Sequence, residues 1–184
     1  MKKNTMLITT FAVLLIGSAF TAGAETSSGG GRLVLPAPSN VGDALVRVPV
    51  NVDLGGVMVA GRPAELGGYI IRIEFDPTAV QFVDASPGTD FPEQVSRTTV
   101  EKANATGRVK LASARPGDHG PSGAINIASV QFRELRPGAI DSIRISIESL
   151  SSVLLRDGAG RVIGPAAIPV GVGDDSPGRS RAAE

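Results

Sequence analysis

Apolar and polar residues alternate with a period of two along most of the chain between residues 31 and 170. The apolar positions of the longest alternating segment are Val46, Val48, Val50, Val52 and Leu54. Shorter segments with the same alternation span residues 69–75, 80–82, 109–111 and 143–147. Because successive side chains of a strand point to opposite faces, each segment has one dry face and one wet face. The pattern predicts an all-β domain, an antiparallel two-sheet sandwich of eight or nine short strands.

The alternation slips by one residue within the segment 123–132. Apolar residues occupy odd positions up to Ile127 and even positions from Val130 onward. One extra residue near Ala128 and Ser129 would restore the phase, which predicts a β-bulge there. Pro49 lies on the wet side of its strand and has no N–H to donate, so we expect it at a sheet edge or at a bulge.

Turn-forming residues separate the predicted strands. Residues 153–163 have the pattern of a hairpin that closes on Asp157-Gly158-Ala159-Gly160. The segment 89–96 is the least strand-like part of the predicted domain. If the domain contains a helical turn, we expect it in this segment. Asn104-Ala105-Thr106 matches a glycosylation acceptor, and we interpret it as a plain turn.

The N-terminal segment has the features of an export signal. Lys2 and Lys3 precede an uncharged apolar run at residues 6–20, and Ala22-Gly23-Ala24 follows. This order predicts a signal peptide at residues 1–24, cleaved after Ala24; the alternative is an uncleaved membrane anchor. We expect a flexible leader at 25–30, one domain at 31–170 and a disordered tail at 171–184. The mature chain would be secreted or periplasmic, without a membrane span.

Composition excludes several classes of function. The 18 Lys and Arg residues balance the 18 Asp and Glu residues, so the chain has no basic excess for nucleic acid. Cysteine is absent, which removes disulfides and thiolate chemistry, and the chain has one histidine. These counts argue against an enzyme.

Candidate catalytic or metal-binding residues lie in predicted loops. His119 could be a base or a ligand, but we interpret it as a solvated loop histidine. Loop aspartates could hold a structural calcium ion, a cation that takes six to eight oxygen ligands. They are Asp76, Asp84, Asp90, Asp118 and Asp157. No calcium-loop motif connects them, so we favour turn-forming roles and expect no cofactor.

Aromatic residues are too few for a sugar-stacking platform. Tyr69, Phe75, Phe82 and Phe132 fall on core phases, which leaves Phe91 as the free aromatic residue of the predicted domain. Crystalline polysaccharide is therefore a poor candidate ligand.

Several short motifs occur in an order that resembles a known family. A V-x-V-P-V strand begins at Val46, a strand beginning at Gly68 ends in Phe75-Asp76-Pro77, and a Pro-Gly turn follows at residues 87–88. A Gly-led strand begins at Gly107, and a G-x-I strand at Gly123 runs to Phe132. Together these pieces, spread over residues 31–170, resemble the cohesin domain of bacterial cellulosomes.

The resemblance implies a fold, a partner and a binding face. It implies a nine-stranded jelly-roll sandwich without catalytic activity, which binds a dockerin, a small calcium-loaded helical domain, through one sheet face. The strands of that face correspond to those of Tyr69, Val109 and Ile143. Their wet residues are Ile70, Arg72, Glu74, Lys110, Ala112, Arg144, Ser146 and Glu148.

These observations leave competing hypotheses. The leading one is a secreted, non-catalytic module that binds a protein partner through this face, with Ile70 as the apolar anchor, in polysaccharide degradation or cell-surface assembly. The alternative is a carbohydrate-binding module that uses loop polar groups and calcium. A hydrolase and a structural role in a surface layer are further options.

Overall fold

The computed structural model describes residues 29–171, and nearly all of its regular structure is β-strand. The predicted signal peptide and residues 172–184 of the predicted tail lie outside the described residues. The strands are β1 (Arg32–Val34), β2 (Ser39–Gly42), β3 (Leu45–Asp53), β4 (Met58–Val59), β5 (Arg62–Pro63), β6 (Leu66–Glu74), β7 (Val80–Pro87), β8 (Ser96–Arg97), β9 (Arg108–Ala114), β10 (Ala124–Glu134), β11 (Arg144–Ser152), β12 (Leu155–Arg156), β13 (Val162–Gly164) and β14 (Ala167–Ile168). An α-helix, α1 (Val100–Thr106), and a 3-10 helix (Ala139–Ser142) complete the elements.

Two five-stranded antiparallel sheets form the sandwich. The first has the order β1-β3-β10-β7, with β2 also paired to β3, and the second has the order β14-β11-β6-β9-β8. From β3 onward the long strands belong to alternate sheets, so the chain crosses between layers at almost every connection. Counting β1 and β2 as one interrupted strand gives nine sandwich strands, and the predicted fold class is confirmed. A parallel bridge between Gly31 and Val170 joins the ends of the domain.

The core lies between the inner faces of the two sheets. On β3, Val48, Val50 and Val52 are at most 1% exposed, and on β6 Ile71 and Ile73 are fully buried. Burying a side chain of this size stabilises the fold by about 1.5–3 kcal/mol. The apolar phase that the sequence predicts therefore points to the core in both sheets.

Two local features predicted from the sequence are present. The register of β10 with β3 shifts between Asn126 and Ala128, so Ile127 is the extra residue of the predicted bulge, one position before Ala128. The hairpin β12–β13 closes through the Gly160 N–H, which donates to the Asp157 carbonyl at 2.9 Å.

The expectation for Pro49, a sheet edge or a bulge, is met locally: β3 is an interior strand, but its residues 48–50 have no ladder partner on one side. Pro49 lies opposite Ser129 of β10. On the other side of β3, the pairing with β1 covers residues 51–53 and the pairing with β2 covers residues 45–47. The proline thus falls at the break between two short neighbours, where no ladder partner is required of it on that side.

The helical turn expected at residues 89–96 is absent, and the helix lies further along the chain. Residues 89–95 are irregular, while α1 begins after Thr99, whose side chain accepts from the Lys102 N–H. The turn expected at Asn104 is therefore the last turn of this helix. Gly107, at φ 67°, ends the helix in the left-handed conformation. Within residues 29–171, no helix is long and apolar enough to cross a membrane.

Phe91 is part of the core, contrary to the expectation that it is free. Its ring is fully buried and packs edge-on against Tyr69, with the ring centroids 5.4 Å apart. The Arg115 guanidinium lies over the Phe91 ring, 5.6 Å from its centroid. All five aromatic residues of the described chain are consequently buried.

Candidate functional site on the outer face of the second sheet

The three strands that the cohesin resemblance selects are neighbours in the second sheet. β6 is the middle strand, with β11 on one side and β9 on the other. Arg72 lies opposite Ser146 on β11 and Lys110 on β9, and Glu74 lies opposite Arg144 and Arg108. These positions alternate with buried ones, so they point to the outer face. The face, which we call the β6 face, contains every candidate site residue: Ile70, Arg72, Glu74, Lys110, Arg144, Ser146 and Glu148.

One half of the β6 face is charged. The Glu148 carboxylate accepts a hydrogen bond from Arg72 Nε at 2.7 Å and lies 2.8 Å from Lys110 Nζ. Arg108 Nε lies 3.4 Å from a Glu74 carboxylate oxygen. The Arg72, Lys110 and Arg108 side chains are each more than half exposed, so they remain available to a partner.

A β-bulge places Glu148 between the two cations. The register of β11 with β6 runs from Ile147 opposite Ile71 to Ser149 opposite Ile70, which leaves Glu148 as the extra residue. The hydrogen bond from Lys110, followed by that from Arg72, holds the pKa of the Glu148 carboxyl below its ordinary value. The carboxylate therefore stays ionised in mildly acidic solution.

The other half of the β6 face has small side chains around Ile70. A shallow depression of about 450 Å³ lies there. Its lining is Gly68, Tyr69, Ile70, Gln94, Ser96, Ala112, Ser113, Ala114, Ser149 and Ser151. Of the two large side chains in that lining, Tyr69 is buried and Ile70 is partly exposed. Small neighbours leave room for close approach to this side chain.

Sequence reasoning missed several residues of this surface. Ser149 and Ser151 line the depression because the bulge at Glu148 shifts the phase of β11. The buried residues of β11 change from an odd position, Ile145, to an even position, Leu150. This change of parity was the sequence signal for the bulge. Arg108 has the same parity as Lys110, and the alternation along β9 could have identified it.

The loop candidates for catalysis or metal binding do not form a comparable site. The His119 side chain is 90% exposed and its Nε2 lies 3.8 Å from an Asp118 oxygen. Both residues border a cavity of about 250 Å³ with Arg156, which pairs with Asp118 at 3.2 Å.

The five aspartates expected in loops are engaged in separate contacts, and one of them, Asp84, lies within β7 instead. Asp76 accepts from the Thr78 N–H, Asp84 pairs with Arg97, Asp90 accepts from the Asn126 N–H, Asp118 pairs with Arg156, and Asp157 accepts from the Ala159 and Arg161 N–H groups. Residues 29–171 contain no cluster of three or more acidic or histidine side chains that could hold a metal ion.

Several solved structures that are similar to this chain are cohesin domains. The seventh type I cohesin of ScaB from Pseudobacteroides cellulosolvens is 16% identical, with a TM-score of 0.48 over 78% of this chain and 94% of that one. The sixth cohesin of scaffoldin B from Acetivibrio cellulolyticus, solved in complex with a dockerin, is 13% identical, with a TM-score of 0.47 over 78% of this chain and 100% of that one. A cohesin module of a family 33 glycoside hydrolase from Clostridium perfringens is 12% identical, with a TM-score of 0.46 over 77% of this chain and 96% of that one.

No protein-family model matches the chain, and no curated protein matches it in sequence.

Proposed function

We propose that this protein is a secreted, non-catalytic recognition module that binds a protein partner through the β6 face. The observation that supports the proposal is the division of that face into two halves. One half presents half-exposed arginine and lysine side chains, and the other presents Ile70 among glycine, alanine and serine residues. An interface needs both an apolar anchor and a polar surround that orients the partner.

The two halves have different physical roles in the proposed complex. Ile70 supplies the binding energy, because its small neighbours let a partner side chain pack against it and exclude water. Arg72, Lys110 and Arg144 set the orientation of the partner and its association rate. Ser146 and Ser149 add hydroxyl groups that accept or donate hydrogen bonds at the boundary of the two halves.

We propose a dockerin-type domain as the partner. The sequence motifs resemble those of cohesins, and the resemblance implies that a dockerin binds the face formed by the strands of Tyr69, Val109 and Ile143. The Acetivibrio cellulolyticus and Clostridium thermocellum cohesins among the similar structures were solved in complex with dockerins. The setting would be extracellular, in polysaccharide degradation or in assembly at the cell surface. The export signal expected at residues 1–24 fits this setting.

The test removes the anchor and reverses one charge in the same variant. Ile70→Asp with Arg72→Glu should abolish capture of a partner from the culture fluid of the source organism. A matched control, Val34→Asp with Arg47→Glu, makes the same change of charge at exposed positions of the opposite sheet. The control should capture the partner as the wild type does, and both variants should keep their Tm within a few degrees.

Mass spectrometry of the captured material identifies the partner, and a chelator separates the partner classes. A dockerin-type partner needs calcium for its fold, so chelation should release it. Capture that survives in the Ile70→Asp/Arg72→Glu variant, or that is lost equally in the control, would show that the β6 face is not the binding surface.

A further inference from the structure

The charged half of the β6 face continues into a basic groove beside α1. The groove has a volume of about 360 Å³ and lies between α1, β9 and β6. Its lining consists of Arg72, Thr98, Lys102, Thr106, Arg108, Val109, Lys110 and Glu148. Four of these eight residues are cations and one is a carboxylate, so the groove has an excess of positive charge.

The ion pairs of the groove leave that excess uncompensated. Glu148 is shared between Arg72 and Lys110, and Glu74, which is not part of the lining, pairs with Arg108. Lys102 has no ion pair among the described residues. Two positive charges thus remain, in a chain whose formal net charge is zero. The excess is local, which is the condition for charge-selective docking.

We propose that this groove binds an acidic segment, rich in Asp and Glu, of the protein that docks on the β6 face. The inference rests on the proposed function and adds the charge of the partner to it. Thr98 supports it, because its Oγ1 accepts from the Lys110 N–H at 2.9 Å and keeps its own O–H to donate to a carboxylate. Lysine and arginine side chains on both walls form charge-assisted hydrogen bonds with carboxylates.

The surroundings favour a peptide over an acidic polysaccharide. The five described aromatic residues are buried, so no ring is exposed beside the groove for a sugar to stack on. Ile70 and Ala112 are the next outward-facing pair beside Arg72 and Lys110. They form an apolar surface that suits a protein side chain. A segment with acidic residues at one end and apolar residues at the other would match both halves.

The test measures binding of a defined acidic probe to the whole chain. The probe is a capped twelve-residue peptide of alternating Glu and Ala, and its neutral control replaces each Glu with Gln. Amide chemical shifts of the isotopically labelled protein locate the contact, and their titration gives the affinity. A galacturonate oligomer with the same number of carboxylates tests the polysaccharide alternative.

Two variants move the affinity in opposite directions if the groove is the site. Lys102→Glu should weaken binding of the Glu peptide about tenfold, and Glu148→Gln should strengthen it about threefold by removing the carboxylate that competes for Arg72 and Lys110. Arg47→Glu on the opposite sheet makes the same charge change as Lys102→Glu and should leave the affinity within about twofold. Shifts should be confined to the groove, that is β9, α1 with Thr98 before it, the charged end of β6, and β11 around Glu148.

The inference is overturned if the Glu peptide shifts no amide around the groove, if Lys102→Glu and Arg47→Glu weaken it equally, or if the galacturonate oligomer binds more tightly. The proposed function fails by a different measurement, partner capture that survives in the Ile70→Asp/Arg72→Glu variant. A partner that is captured through Ile70 but binds equally to Lys102→Glu would therefore reject the acidic segment and leave the recognition module standing.

Discussion

Arg72 on β6 lies directly opposite Lys110 on β9, so two cations are neighbours on the outer face of the sheet. Like charges in this relationship destabilise a sheet. Glu148 compensates them by pairing with both side chains from the adjacent strand β11. The bulge that brings Glu148 to this position therefore reduces the repulsion between Arg72 and Lys110.

Glu148→Gln should lower the Tm at neutral pH and weaken the dependence of stability on pH. The pKa of Glu148 is held below its ordinary value of 4.5 by the hydrogen bonds from Lys110 and Arg72. The folded chain thus binds this proton less readily than the unfolded chain, and the stabilisation is present above the ordinary pKa and lost as pH falls through the lower folded value. The difference in Tm between wild type and variant should shrink between about pH 5 and pH 3.

Asp43→Asn is the control for that experiment, because Asp43 is exposed in a turn at φ 46° with no ion pair among the described residues. Asparagine tolerates this conformation. Scanning calorimetry across the pH range gives both differences. A gap between wild type and Glu148→Gln that stays constant with pH would contradict the role assigned to the carboxylate.

Asn104→Ala should destabilise the fold by about 2 kcal/mol, because the Asn104 amide acts as a ladder partner for the edge strand β7. Its Oδ1 accepts from the Phe82 N–H at 2.7 Å, and its Nδ2 donates to the Phe82 carbonyl at 2.9 Å. Thr106→Ala also removes the Asn-Ala-Thr acceptor sequence, so it controls for any effect of a glycan. Urea unfolding should show a loss of less than about 0.5 kcal/mol for Thr106→Ala.

Period-two alternation was sufficient to predict the two-layer fold and which side chains of its regular strands point outward. A strand has one dry and one wet side, so assigning Ile71 to the core also assigns Arg72 to the surface. The same reasoning assigned Lys110 and Arg144. Their adjacency followed from the family resemblance, since alternation within a strand does not specify which strands pair.

Features that depend on irregular backbone were not predictable in this way. Phe91 lies in a segment without regular structure, where parity has no meaning, and only the packing against Tyr69 shows that it is a core residue. Lys102 reaches the groove from a helix of seven residues, too short to produce an apolar stripe. The bulge at Glu148 exchanges the faces of the residues that follow it, which hid the serine positions.

Gly107→Ala should destabilise the protein by more than Gly138→Ala, although both glycines have a positive φ. A Cβ on Gly107 would lie 2.4 Å from the Phe75 carbonyl oxygen, a backbone atom, and that contact adds to the strain at φ 67°. A Cβ on Gly138, at φ 77°, meets nothing within 4 Å. Its loss should be limited to the conformational cost of about 1–2 kcal/mol. Equal losses in urea unfolding would mean that the backbone around Phe75 moves freely.

The chain should resist alkali up to a cooperative transition in which Tyr69 ionises and the fold is lost together. Tyr69 is the chain's single tyrosine, it is 2% exposed, and its hydroxyl donates to the Ile127 carbonyl at 3.0 Å. Burial raises the pKa of this phenol far above its ordinary value of 10. The folded chain keeps the proton where the unfolded chain releases it, so stability is complete below the ordinary pKa and falls as pH rises above it.

Because tryptophan is absent, ultraviolet absorbance reports the Tyr69 phenolate directly. The phenolate signal should appear in one step that coincides with the loss of the β-sheet circular dichroism. Tyr69→Phe should be about 1 kcal/mol less stable at neutral pH, since the Ile127 carbonyl loses its donor, yet it should lose less stability than the wild type as the pH rises above 10. A gradual phenolate titration centred near the ordinary value, with unchanged circular dichroism, would show that the ring is open to solvent and that the core around Phe91 is not closed.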